Sequence, residues 1–292
     1  MNNLLTLLAT MRPKQWIKNV IIFAALVFDE KLFIWAQTRR AIAGFLLFTL
    51  ISGIVYTIND LLDIEKDRQH PKKRERPLAS GKLSPKFATA AVISLAAGAL
   101  ILALWLDLFF ALTLFGYLLL QLAYSFKVKN VVLLDVLAIA AGFVLRVAGG
   151  VLLVDAERFS PWLYIITTLG ALFLGLGKRR GELVLLGQEA ENHRAILKEY
   201  TLPLLDQLIS IVTSSTILAY AFYTFSAPNL PGNHMMMLTI PFVIYGLFRY
   251  LYLIHVKGTT LAPDEVLLTD LPIQLTVLFW GMAAVGIMYI RS

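Results

Sequence analysis

The sequence predicts an all-α, polytopic membrane protein, and three observations lead there. Hydrophobic residues make up 58% of the 292-residue chain and charged residues 15%, with a mean hydropathy of +0.73. Water-soluble domains carry about a quarter charged residues. The forty residues from Phe87 to Phe126 hold one charge, Asp107. Two bilayer crossings of about 20 residues each fit that run, so Asp107 marks a tight turn between them. Finally, Lys and Arg alternate between crowded and sparse loops, as in a chain whose loops fall by turns on either side of a membrane.

Taken in order, the first span lies around Trp16 to Phe28 and is the weakest, because its uncharged part, Asn19 to Phe28, is ten residues long and Lys18 must snorkel. Ala41 to Ile58 is the second, and Phe87 to Phe126 supplies the third and fourth. Val131 to Val154, Phe159 to Gly177, Gln207 to Phe225, Met237 to Val256 and Leu271 to Ile290 complete nine. With the amino terminus inside, nineteen of the 26 Lys and Arg residues fall in cytoplasmic loops and five outside, while Arg146 and Arg249 lie within spans. Loops facing anionic lipid account for the net charge of +7 without nucleic acid. The expected architecture is one integral-membrane domain over 1–292, capped by cytoplasmic loops at about 64–86, 126–131 and 178–203.

Some chemistries are excluded. There is no Cys, so no thiolate nucleophile, and the histidines at 70, 193, 234 and 255 lack metal-ligand spacing. No nucleotide-binding glycine loop or hydrolase elbow is present. The first eleven residues lack a signal peptide's basic start and read as a segment lying along the interface.

Directly after the second span comes Asn59-Asp60-Leu61-Leu62-Asp63-Ile64-Glu65-Lys66-Asp67. At about 100° per helical residue, Asn59, Asp63 and Asp67 form an i, i+4, i+8 row with Asp60 beside it. Carboxylates so close repel one another unless a cation sits between them. Mg²⁺ suits such all-oxygen company and usually shares its shell with substrate phosphate. The ladder therefore reads as a diphosphate-metal site, with Asn59, Asp60, Asp63 and Asp67 as ligands. Its structural alternative is a solvated helix end whose acids pair with Lys66 and Arg68. Downstream, Pro71, Pro77 and Gly81 break up a cation-rich loop that can fold back over the acids and bring Lys73 and Arg76 to the same mouth. Topological signalling by positive charge explains Lys72, Lys73 and Arg74 equally well.

Further along, Asp135 and Arg146 are charges inside a span, eleven residues apart and so nearly on one face. Ala138, Gly142, Gly149 and Gly150 share that stripe and suit either close helix packing or a ligand. A polar contact with a neighbouring helix competes with a ligand for Arg146. Tyr124, Ser125, Lys127 and Lys129 offer hydroxyls and ammonium groups to phosphate or to lipid headgroups. Gly177-Lys178-Arg179-Arg180-Gly181-Glu182 sets three cations between glycines. Arginine forks grip phosphate in bidentate fashion, and the glycines would let backbone approach. Arg249, Asp264, Glu265 and Asp270 have no role assigned.

The motif Asn-Asp-x-x-Asp-x-x-x-Asp at the end of the second of nine spans resembles the first aspartate-rich motif of the UbiA superfamily of intramembrane prenyltransferases. The resemblance covers nearly the whole chain. It implies nine helices around a central cavity and a metal-diphosphate role for Asn59, Asp60, Asp63 and Asp67. The family's second aspartate-rich motif, near the end of the sixth span, is replaced here by Lys178, Arg179 and Arg180, with only Glu182 acidic. Fixed cations in place of acids imply more phosphate groups than a prenyl diphosphate and a neutral acceptor would bring. In this respect, and in Arg12-Pro13-Lys14-Gln15-Trp16-Ile17-Lys18-Asn19, the chain resembles the decaprenyl-phosphate phosphoribosyltransferase branch.

That branch implies a Mg²⁺-dependent transfer of 5-phosphoribose from phosphoribosyl pyrophosphate to a polyprenyl phosphate in the inner membrane. Asp60, Asp63 and Asp67 would be catalytic through the metal. Lys178, Arg179 and Arg180 would meet the 5-phosphate, and Lys14, Lys18, Lys127, Lys129 and Arg146 the lipid phosphate or the donor. Asp135 and Glu182 would bind ribose hydroxyls or orient those cations, with metal-bound diphosphate and cationic cradle sharing one chamber. The alternatives are prenyl transfer to an aromatic acceptor and a lipid transporter without catalysis.

Overall fold

The computed structural model describes residues 3–70, 73–154, 161–186, 195–228 and 230–289, and among these it contains helices and turns but no strand. The helices are α1 (Asn3–Thr10), α2 (Ala24–Phe28), α3 (Trp35–Leu62), α4 (Ile64–Gln69), α5 (Pro85–Leu106), α6 (Leu108–Phe126), α7 (Leu134–Leu153), α8 (Pro161–Leu186), α9 (Leu202–Ser226), α10 (Ile240–His255), α11 (Pro263–Thr269) and α12 (Leu271–Tyr289). Eight helical stretches among the described residues are long and apolar enough to cross a membrane. They match eight of the nine expected spans. The remaining one is a 3-10 helix, Pro13–Phe23, running into the five residues of α2. Three residues per turn put i and i+3 on one face, and Asn19 and Ile22 are both completely buried.

The chain forms two compact units: residues 1–26, 31–126 and 145–157, and residues 27–30, 127–144 and 158–292. In the first, α3 packs on α5, α6 and the 3-10 helix. Phe48 on α3 is its pivot, with ring centroids 5.8 Å from Phe110 and 5.3 Å from Tyr117. A Cβ at Gly149 would lie 2.7 Å from the Phe48 ring, and one at Gly150 2.1 Å from the carbonyl oxygen of Ile22. These two glycines of α7 thus serve close packing, settling the choice left open for their end of the small-residue stripe. The turn at Asp107 is present: its extended backbone separates α5 from α6, and its Oδ1 accepts from the Phe110 amide at 2.8 Å. That side chain caps an otherwise unsatisfied donor in the first turn of α6.

In the second unit α8 packs on α9 and α10 on α12. Phe173, Leu176, Tyr200, Leu205, Ile209, Tyr250 and Val266 form its largest core cluster. The expected cap loop beginning at 178 is corrected here, because α8 continues to Leu186. Its buried face keeps helical spacing through Phe173, Leu176 and Arg180, so the helical period outlasts the apolar composition. Residues 187–194 of that expected loop, and residues 71–72 of the earlier one, lie outside the described residues.

Candidate active site

The acidic ladder sits where α3 ends. Asp63 steps out of helical geometry at φ −101°, ψ 10°, and α4 resumes one residue later. Hydrogen bonds from Asp63 N to Asn59 O (3.0 Å) and from Asp67 N to Asp63 O (2.8 Å) carry the helical register across the break. Asp60 and Asp67 are each 3% exposed, whereas Asn59 and Asp63 are partly exposed. Buried carboxylates need partners, and two arginines supply them. Arg12 Nη2 donates to Asp60 Oδ1 at 2.6 Å, while Arg76 Nη1 donates to the same oxygen at 3.1 Å and to Asp67 Oδ2 at 2.7 Å. Arg76 reaches them because the loop after α4 folds back, with Leu78 and Leu83 buried beside Leu7, Met11 and Ala88.

The expectation that acids and cations share one mouth holds for Arg76. The alternative pairing of the helix-end acids with Arg68 is met only at Glu65, which accepts from Arg68 at 2.7 Å, and not at Asp60 or Asp67. Lys73 lies exposed in a short 3-10 turn. Sequence reasoning gave Arg12 no site role, although its left-handed backbone (φ 54°) and its approach to the Tyr56 ring at 4.8 Å bring it to Asp60. A partner 48 residues away leaves no local signal.

Asp135 and Arg146, expected on one face, have separate partners. In the first unit Arg146 donates from Nε to Asn19 Oδ1 (2.6 Å) and from Nη2 to Tyr117 Oη (2.7 Å). Asn19 Nδ2 in turn donates to Thr49 Oγ1 and Ser52 Oγ, both at 3.1 Å. This buried network gives Arg146 the neighbouring-helix contact that competed with a ligand role. In the second unit Asp135 accepts from Arg179 Nε at 2.6 Å and from Tyr200 Oη at 2.7 Å. Arg179 also bonds Glu182 at 2.6 Å, and its side chain is fully buried. Asp135 and Glu182 therefore both hold Arg179. Burial pushes the Tyr200 hydroxyl above the ordinary tyrosine range, and donation to Asp135 pushes it further. The phenol stays a donor.

The remaining cations divide sharply. Arg180 bonds Asp206 at 2.5 Å, a partner that sequence reasoning missed, whereas Lys178 points to the exposed face of α8. The flanking glycines do not admit a ligand. A Cβ at Gly177 would lie 2.6 Å from Tyr250 Oη, and one at Gly181 2.2 Å from Thr260 O. Both make room for the protein's own chain. Lys14 and Lys127 are exposed and Lys18, Tyr124 and Lys129 partly so, while Ser125 turns its hydroxyl back to Gln121 O at 2.8 Å.

Eight helices long and apolar enough to span a bilayer, with an acidic ladder at the end of one of them, define a polytopic helical membrane protein. The chain belongs to the UbiA prenyltransferase family, whose model matches residues 20–269. It is 31% identical to the decaprenyl-phosphate phosphoribosyltransferase of Mycolicibacterium smegmatis, covering 94% of this chain and 89% of that one. The enzyme of the same name from Corynebacterium glutamicum is 32% identical, covering 97% of this chain and 87% of the relative. Among solved structures, a UbiA homolog from Archaeoglobus fulgidus bound to GPP and Mg²⁺ shares the fold, with a TM-score of 0.75 at 19% identity over 97% of this chain and 99% of that chain.

The ladder's chemistry fits a hard divalent ion, because each of its side chains offers oxygen. Arg76 bridging Asp60 and Asp67 shows two carboxylates reaching one positive group. Among the described residues no three acidic or histidine side chains gather closely enough to enclose an ion.

Proposed function

We propose that this chain transfers 5-phosphoribose from phosphoribosyl pyrophosphate to a polyprenyl phosphate and releases pyrophosphate. The observation that carries this reading is its 31–32% identity, over 94–97% of its length, to relatives named decaprenyl-phosphate phosphoribosyltransferase. Lys178 and Arg180 in the last turns of α8 support it, since cations there suit a donor with an additional phosphate. The nineteen basic residues that the expected topology places on one side support an amino terminus and a site facing the cytoplasm of an inner membrane.

Asn59, Asp60, Asp63 and Asp67 hold a Mg²⁺-diphosphate in this scheme. The metal, when bound, neutralises charge that builds on the departing pyrophosphate. The lipid phosphate is anionic near neutral pH, so its oxygen attacks ribose C1 without a general base, and positioning supplies much of the rate. Attack opposite the leaving group inverts the anomeric centre. Lys178 and Arg180 take the donor's 5-phosphate, while the wholly buried Arg179 acts with Asp135 and Glu182 to hold the end of α8 in place. Lys14, Lys18, Lys127 and Lys129 serve the lipid phosphate or the donor.

The test is mass spectrometry of lipid after purified protein meets both substrates with Mg²⁺, and again after chelation. A phosphoribosylated polyprenyl phosphate that disappears on chelation is expected. Product only from a prenyl diphosphate and an aromatic acid would overturn the reading in favour of prenyl transfer. Binding of either lipid without pyrophosphate release would favour a transporter.

A further inference from the structure

Arg12 and Arg76 occupy the cationic position at the acidic ladder. Arg76 lies 3.1 Å from Asp60 Oδ1 and 2.7 Å from Asp67 Oδ2, in the notch between two carboxylates that would help hold a divalent ion, and Arg12 lies 2.6 Å from Asp60. Their side chains are 33% and 28% exposed, against 4% and 5% for the two carboxylates. Each side chain thus bonds a buried acid while staying partly open to solvent. Guanidinium is a rigid fork of five donors that matches phosphate as well as carboxylate, and a metal cannot enter the notch beside it without strong like-charge repulsion. Arg12 is held in a left-handed backbone conformation that is costly for any residue but glycine. That cost falls on the residue that reaches the ladder from the far end of the unit's chain.

We infer that Arg12 and Arg76 are exchangeable counter-ions. They neutralise Asp60 and Asp67 until a metal-diphosphate arrives, then give up the carboxylates to the metal and bind the diphosphate oxygens themselves. Metal and diphosphate therefore bind together, each weakly alone, and the acidic notch is never left empty. The inference rests on the ladder being a metal site but not on the identity of the donor, because inorganic pyrophosphate carries the same chemistry.

Mn²⁺ binding to the purified full-length protein, read by electron paramagnetic resonance with and without pyrophosphate, tests it directly. In the unaltered protein pyrophosphate should tighten Mn²⁺ binding about tenfold beyond the association of the two in buffer, within the usual range of coupled sites. Arg76→Gln and Arg12→Gln should each tighten binding of Mn²⁺ alone and shrink the pyrophosphate effect. These changes have opposite signs, which a merely structural role would not give. Arg76→Lys keeps the charge and should keep most of the coupling, so it serves if the glutamine variants fail to fold. Equal Mn²⁺ affinity with and without pyrophosphate, or glutamine variants that bind Mn²⁺ alone more weakly, would overturn the exchange. Asp63→Asn separates the two layers: undiminished Mn²⁺ binding in that variant would sink the metal site itself and leave the arginines as plain structural pairs.

Discussion

At the scale of single residues, the same side-chain type takes different roles according to burial. Arg179 is completely buried between Asp135 and Glu182, while its neighbour Lys178 is exposed. Removing one member of a buried ion pair leaves the other as an uncompensated charge, costing roughly 3–5 kcal/mol. Asp135→Ala should therefore lower the melting temperature of the detergent-solubilised protein sharply. Lys178→Ala should leave stability within about 0.5 kcal/mol yet raise the KM for phosphoribosyl pyrophosphate. An equally large loss of stability from Lys178→Ala would move that lysine into the structural group. Tyr200 belongs to the same set, since its hydroxyl donates to Asp135 and accepts from the Leu133 amide at 2.9 Å. Tyr200→Phe should cost about 1–3 kcal/mol by leaving those buried groups short of a partner, again read from the melting temperature.

At the scale of elements, α8 carries two glycines whose surroundings oppose each other. A Cβ at Gly181 would meet Thr260 O at 2.2 Å, whereas one at Gly170 meets nothing within 4 Å. Gly181→Ala should destabilise by about 1–3 kcal/mol, as overpacking does, and Gly170→Ala should stabilise by about 0.5–1 kcal/mol through helix propensity. Thermal unfolding of the two variants in the same detergent reads both signs. A second element-level staple joins α10 to the start of α12, where Arg249 donates to Asp270 at 3.0 Å. That hydrogen bond holds the Asp270 carboxyl below its ordinary range. A depressed folded value means stabilisation present above the unfolded pKa of about 3.9 and lost as pH falls through the lower folded value. Asp270→Asn should thus lower the melting temperature at pH 7 and narrow its gap from the unaltered protein as the pH drops below about 4. A gap that stays constant with pH would assign the pair no electrostatic share.

At the scale of the whole molecule, the absence of Cys makes sidedness measurable. A single cysteine at Lys82 should be shielded from an impermeant maleimide in intact cells, and one at Gly232 should be labelled, both positions being exposed; the reverse pattern would invert the proposed orientation. The sequence by itself determined the fold class, eight of the spans and the position of the acidic ladder. Apolar run length against bilayer thickness and helical spacing are properties of neighbouring residues, and both are legible one window at a time. Tertiary structure alone decided which charge answers which. Arg12 finds Asp60 across 48 residues, Tyr200 finds Asp135 across 65, and Arg146 finds Asn19 across 127. It also turned the glycines around Lys178 from a supposed ligand approach into a seat for the 260 segment. The reason is electrostatic: a buried charge must be met by whichever opposite charge or dipole the packing brings within about 3 Å, and sequence separation carries no record of that distance.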